Sequence, residues 1–187
     1  YAEGMQEGLD NLHINYDNNE LRISKETESW GFWKVLVNKG SGPVDVYLSA
    51  KGMTAISASS GSSISIDDVY KSNKLQIDMS SGSAGELQVD ADELYVECSS
   101  GSQLTLSGIA LDINIDLSSG SQCMAKDLSS YKSATIEASS GAQVDLTAQG
   151  RVMGDVSSGA EINIYGFPNE LKKDESSGGY LRLVTKK

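Results

Sequence analysis

Histidine occurs once in the 187 residues, tryptophan and cysteine twice each, and arginine three times. Each scarcity excludes something. His13 is the lone imidazole, so none of the many serines has a repeated basic partner, and a Ser-His-acid hydrolase has no footing. Arg22, Arg151 and Arg182 fall in separate predicted elements, and no basic stripe runs along the chain. With a net charge of −11 and a pI near 4.5, this argues against nucleic acid and against an anionic membrane surface as partners. No apolar run approaches the ~20 residues that span a bilayer as a helix. No leader with a basic start and an apolar stretch opens the chain. Tyr1 stands where a methionine would begin translation, so a mature form with an export signal removed is expected. Cys98 and Cys123 show no metal-type spacing. Both read as small buried thiols, and a bridge between them would need their Cα atoms within about 7 Å.

Hydrophobic residues make up 39% of the chain, which suits one domain with a core. Serine and glycine are abundant and recur at fixed phases. Ser-Ser-Gly occurs seven times, ending at Gly61, Gly82, Gly101, Gly120, Gly141, Gly159 and Gly178, at intervals of 21, 19, 19, 21, 18 and 19 residues. A near-constant period of this length signals one unit, copied and stacked. Aligned on that glycine, apolar residues fall five and three positions before it and three and five after it, as with Val96, Cys98, Leu104 and Leu106 around Gly101. Alternation on both sides is strand periodicity, one face in and one face out. The tripeptide between is a corner. Glycine supplies positive φ there, and serine bonds locally to the backbone.

A strand–corner–strand unit cannot bury its apolar face alone. Copies therefore stack about 4.8 Å apart, and like residues form ladders. The fold class that follows is all-β: a right-handed parallel β-helix, or β-solenoid, with one coil for each of the seven corners. The competing architecture is an antiparallel sandwich with strands at intervals of about ten residues. It leaves the return of one tripeptide at every second strand unexplained.

Residues 1–50 precede the repeats, and residues 51–187 carry them as one continuous solenoid. Residues 1–10 read as an irregular lead-in. Residues 12–16 and 21–23 read as a hairpin about Asp17-Asn18-Asn19, and Val44, Val46 and Leu48 as a further strand. Trp30, Phe32 and Trp33 read as part of a cap, or of irregular first coils, covering an open solenoid end. As an alternative, Trp30 and Trp33 form an aromatic platform for sugar rings. Residues 67–73 and Phe167-Pro168-Asn169 read as longer loops. Lys173 and Glu175 take the inward phases of the last coil, whose upstream strand is expected to leave the core.

Outward positions should stack as faithfully. Four residues before each corner glycine stand Ser57, Asp78, Glu97, Asp116, Glu137, Asp155 and Asp174. Two carboxylates about 4.8 Å apart in water repel by roughly 0.9 kcal/mol. The column is expected either to be hydrated, edge-protecting charge or to bind divalent cations such as calcium; no other cofactor is expected. Two residues after the glycine, Gln103, Gln122, Gln143 and Glu161 form a column whose amides can hydrogen-bond along the rod or touch a polysaccharide. The serine columns read as corner chemistry. A polysaccharide-cleaving β-helix needs clustered carboxylates and a base. Asp67-Asp68, His13 and three scattered arginines do not make such a cluster.

Recurrent Ser-Ser-Gly-Ser or Ser-Ser-Gly-Ala corners, as in Ser99-Ser100-Gly101-Ser102 with Leu104 and Leu106, resemble those of the auto-transporter adhesin head domain family, also called the head GIN domain. Pro43-Val44-Asp45-Val46-Tyr47-Leu48, leading to Ile56, resembles the strand before the repeats in that family. The resemblance covers residues from about 12 to 184. It implies a β-helical domain typical of Bacteroidetes-like bacteria, exported to the periplasm, outer membrane or cell surface and labelled an adhesin. It carries over no catalytic residue. Gly85 at an inward phase and the polar final upstream strand depart from the pattern. The expected function is a non-enzymatic, extracytoplasmic, adhesin-like binding or structural module for a surface glycan or a protein partner. The alternatives are a pectinase-like carbohydrate-active enzyme and a self-associating surface scaffold.

Overall fold

The computed structural model describes residues 1–4, 6–25, 44–48 and 52–184; Trp30, Phe32 and Trp33 lie outside the described residues. The chain divides into two compact units, Tyr1–Lys51 and Gly52–Lys187.

The first unit holds β1 (Ala2–Gly4), the one-turn helix α1 (Gln6–Asp10), β2 (Leu12–Asp17), β3 (Glu20–Lys25) and β4 (Val44–Val46). β2 and β3 form the expected hairpin, with Ile14 opposite Ile23. Asn18 and Asn19 turn it with φ of 50° and 65°, the pair of left-handed residues that a type I′ turn requires. The start of the chain is not irregular. β1 pairs antiparallel with β4, and the Tyr1 and Tyr47 rings stack at 4.7 Å. A three-residue strand is too short to show alternation in a sequence.

The second unit is built from β5 (Ala55–Ala58), β6 (Ser63–Met79), β7 (Ala84–Cys98), β8 (Gln103–Leu117), β9 (Gln122–Ala138), β10 (Gln143–Ala148), β11 (Arg151–Val156), β12 (Glu161–Tyr165), β13 (Glu170–Glu175) and β14 (Tyr180–Val184). Each pairs in parallel with its equivalent one coil along. This is the parallel β-solenoid that the repeats imply. Inward columns run through it without a break: Leu75, Leu94 and Ile113 stack, as do Ile77, Val96 and Ile115, and Met79, Cys98 and Leu117. All nine are buried.

The corners are tighter than the glycine alone suggests. In every copy the second serine is left-handed too, from Ser60 at φ 58° to Ser177 at φ 47°, and its glycine follows at φ 70° to 78°. The first serine's carbonyl accepts from the residue after the glycine, as in Ser102 N to Ser99 O at 3.1 Å. That is a type I′ turn with Ser-Gly at its centre. Successive corners are tied together as well: Gly82 N donates to Ser100 O and Gly101 N to Ser119 O, both at 3.0 Å. From the second corner to the sixth, the residue after the glycine points into the core. Ser102 and Ser121 are buried there, and their hydroxyls donate to the carbonyls of Met79 and Cys98 at 3.1 and 2.9 Å. Ala142 and Ala160 take the same place in later coils and need no partner.

Residues 67–73 are not a loop. They continue β6, whose register against β7 shifts between Ile66 and Tyr70, so a bulge absorbs the extra residues. The Phe167-Pro168-Asn169 break does separate β12 from β13. Gly85 sits in register between Ile64 and Leu104, so no coil boundary is disturbed there. Its missing side chain is replaced by Leu104, whose Cδ1 would lie 2.9 Å from an added Cβ. Gly154 makes room in the same way for Leu181. The final upstream strand leaves the core as expected, with Lys173 and Glu175 exposed, but stays in the ladder, because β13 pairs with β11 from Glu170 to Glu175. What changes is its inward chemistry. Glu175 accepts from Leu181 N at 2.7 Å and from Lys173 at 2.9 Å, and these charges close the last rung against strand addition.

Candidate functional site

The six carboxylates stand in one outward column. Asp78 lies opposite Glu97, Glu97 opposite Asp116, Asp116 opposite Glu137, Glu137 opposite Asp155, and Asp155 opposite Asp174, with Ser57 at the start opposite Asp78. A shallow groove of about 200 Å³ runs beside the first of them, lined by Ser57, Asp78, Ser80, Glu97 and Ser99. The register supplies one carboxylate per rung. Among the described residues no three Asp, Glu, His or Cys side chains converge where a metal could sit. Glu97→Gln with Glu137→Gln removes four adjacent repulsive pairs, each worth up to about 0.9 kcal/mol before screening. The double variant should therefore unfold about 1–2 kcal/mol later in urea at low salt, the gain shrinking as salt is added. Calcium should leave the wild-type melting temperature unchanged; a calcium-dependent rise lost in the variant would assign the column to cations instead.

The remaining candidate residues are dispersed. His13 is exposed on β2 opposite Ser24. Arg22 pairs with Glu20 at 3.1 Å and Arg151 with Glu170 at 2.8 Å. Asp67 and Asp68 are exposed at the β6 bulge. Both cysteines are free. Burial pushes the Cys98 thiol up to about 12 and raises that of Cys123 too, so neither is a thiolate nucleophile. Gln103, Gln122, Gln143, Glu161 and Tyr180 do form one column. Among the described residues, however, no side-chain amide bond joins the three glutamines, so backbone pairing alone holds that ladder.

Side chains converge elsewhere, at the far end of the solenoid. β10, β12 and β14 lie side by side, and their outward residues make a grid of three rungs. Gln143, Asp145 and Thr147 form the first row, Glu161, Asn163 and Tyr165 the second, and Tyr180, Arg182 and Val184 the third. Asn163 is at the centre and only 4% exposed. Its Nδ2 donates to Asp145 Oδ1 at 2.9 Å and to Glu161 Oε1 at 2.8 Å, and its Oδ1 accepts from Arg182 Nε at 2.6 Å. Arg182 Nη2 also pairs with Glu161 Oε1, and the Tyr180 hydroxyl donates to Glu161 Oε2. Lys126 places its Nζ 4.3 Å from the Tyr165 ring centre. The surface over this grid is an open depression of about 530 Å³.

The Tyr180 hydroxyl, aided by Asn163 and Arg182, holds the Glu161 carboxyl below its ordinary range, and the same bond raises the Tyr180 phenol. A depressed carboxyl stabilises the fold above its unfolded pKa of about 4.3 and loses that effect as pH falls through the depressed value. A raised phenol stabilises below about 10 and loses that effect as pH rises through its raised value. The network should thus be intact between these limits. Amide protection of β12 and β14, taken relative to the intrinsic exchange rate at each pH, should fall at both extremes, and unchanged protection below pH 4 would contradict the Glu161 bond.

The glutamine column pointed at Glu161 but not at this grid. The signal was one column further on, four residues after each glycine: Ser65, Glu86, Thr105, Met124, Asp145, Asn163 and Arg182. Only its last three members are complementary in charge and hydrogen bonding.

A family model described as "Putative auto-transporter adhesin, head GIN domain" matches residues 2–168. A search of curated proteins found no match. Among solved structures, the chain is similar to one described as a putative lipid binding protein from Parabacteroides distasonis, with a TM-score of 0.64 and 15% identity over 95% of this chain and 80% of that one. Identity that low shows a common fold.

Proposed function

We propose, starting from the fact that the chain belongs to the putative auto-transporter adhesin, head GIN domain family, that it is a non-enzymatic binding module. It works outside the cytoplasm, at the cell surface or in the periplasm, on a glycan or protein partner. Family membership speaks for a surface or exported protein. Among the described residues, no helix is long and apolar enough to cross a membrane.

One observation carries binding over catalysis. The outward surface is made of side-chain columns in register, so it presents extended, repeated and open chemistry. The acids and bases that a glycan-cleaving enzyme would gather are spread along rungs or, in the terminal grid, are bonded to one another. General acid–base catalysis needs a group within reach of its proton and available to exchange it.

The test uses the purified chain on immobilised neutral and acidic glycans, extracellular proteins and intact cells, with reducing-end release followed on the same glycans. Saturable binding without new reducing ends is expected. Catalytic release would overturn the non-enzymatic reading, and absence of saturable binding to every surface would overturn the module.

A further inference from the structure

We infer that the grid on β10, β12 and β14 is a saccharide site that takes one neutral pyranose unit through its hydroxyls. The inference rests on the binding-module reading and goes further by naming the site and the ligand chemistry.

Dimensions come first. Rungs are about 4.8 Å apart and alternate residues on a strand about 6.7 Å apart, so three rungs by three outward positions cover roughly 10 by 13 Å. The depression over them, about 530 Å³, falls within the ~300–1,000 Å³ common for small-ligand sites.

Chemistry comes next. A sugar hydroxyl donates and accepts at once, so it is best met by planar groups that set donors and acceptors side by side. Asp145, Glu161 and Arg182 do this on three neighbouring rungs, with Asn163 buried between them and both its N–H groups spent on the two carboxylates. Their mutual bonds fix them before any ligand arrives, which limits the ordering that binding requires. The Arg182 side chain remains 58% exposed with Nε and one Nη2 proton committed, which leaves Nη1 and the second Nη2 proton for a ligand. Tyr180, 42% exposed and beside the Arg182 guanidinium, adds an aromatic face for the C–H side of a ring.

Charge selects among polar ligands. The chain as a whole carries −11, yet two carboxylates here, Asp145 and Glu161, stand beside two cations, Arg182 and Lys126. The local sum is near zero. A cation has no surplus carboxylate to pair with, and an acidic sugar has no surplus base. The same columns on earlier rungs carry Gln103 with Thr105 and Gln122 with Met124, so the grid is a feature of this end alone. Tyr180 and Arg182 also lie beyond residue 168, where the family match stops.

A neutral pyranose reaches such a surface in a free glycan or in a glycolipid headgroup, and the experiment separates the two. Amide shifts of the ¹⁵N-labelled full chain are followed against neutral hexose and N-acetylhexosamine oligosaccharides. Binding is then compared on phosphatidylcholine vesicles with and without a neutral glycosylceramide. The expected result is saturable shifts confined to β10, β12 and β14. Affinity should fall at least ten-fold in Asp145→Asn and in Arg182→Gln and stay unchanged in Asp92→Asn, on β7 away from the grid. Free oligosaccharides alone suffice if the source is a glycan; a requirement for glycosylceramide vesicles assigns the headgroup. Shifts elsewhere on the rod, wild-type affinity in both grid variants, or equal binding to plain vesicles would overturn the site. The wild-type shift map decides even if a variant fails to fold. A chain that binds a protein or cell surface but no neutral saccharide would sink this inference and leave the module standing; one that binds nothing would sink both.

Discussion

Gly108→Ala should lower the stability of the solenoid by about 3 kcal/mol or more, whereas Gly101→Ala should cost only about 1–2 kcal/mol. Both glycines have positive φ, 106° and 71°, so each substitution carries backbone strain. Space separates them. A Cβ on Gly101 would meet nothing within 4 Å, because the corner faces solvent. A Cβ on Gly108 would stand 2.1 Å from the Val89 carbonyl oxygen and 3.1 Å from that residue's carbonyl carbon and nitrogen. Val89 is opposite Gly108 on the preceding rung and is held in the ladder, so no side chain can rotate away. The backbone of one rung would have to move. Urea midpoints at equal m values measure the difference. Equal losses at the two sites would show that conformational strain, and not close approach between rungs, sets the cost.

Leu181→Ala should cost about 2–4 kcal/mol, and Gly154→Ala about 1–3 kcal/mol. Together they should cost clearly less than the two losses added. Leu181 is buried although it belongs to the last rung. Its Cδ1 lies 2.2 Å from where a Gly154 Cβ would stand, so it fills the space that an inward side chain at position 154 would otherwise take. An alanine at position 154 collides only while the leucine is present. A double-mutant cycle should therefore give a coupling of at least about 1 kcal/mol. Additive losses would mean that the two positions do not share the cavity. In a stacked repeat the terminal rung contacts one neighbour only, so the loss should appear first as faster amide exchange in β13 and β14.

These two cases also show what the sequence conveyed and what it withheld. Period-two alternation on both sides of each Ser-Ser-Gly was enough to place Leu104, Ile115 and Ile136 inside and Asp116 and Glu137 outside, because a one-residue slip would reverse every face. The acidic column was legible for the same reason. The left-handed serine was not. Ser100 has an ordinary side chain, and only a hydrogen bond between the residues flanking Ser100-Gly101 reveals the type I′ turn. Gly85 looked like a fault in the pattern, since a single repeat does not tell which neighbouring side chain leans into the gap. The grid was hidden by its length. Three rungs of complementary residues do not make a column long enough to stand out, and the bonds around Asn163 run across columns as well as along them. The readings of Trp30 and Trp33 fall outside the described residues.

The rung-to-rung register is tested most directly by cysteine pairs placed in the acidic column. Glu97→Cys with Asp116→Cys puts two thiols on adjacent rungs, about 4.8 Å apart at Cα and within the range a disulfide spans. Glu97→Cys with Glu137→Cys puts them two rungs apart, near 9.6 Å, beyond that range. Cys98 and Cys123 are buried and free. Under mild oxidation the first pair should close within one chain and the second should stay open. Closure of the second pair without the first would contradict the register, and with it the alignment of Asp145, Asn163 and Arg182 on which the proposed site depends.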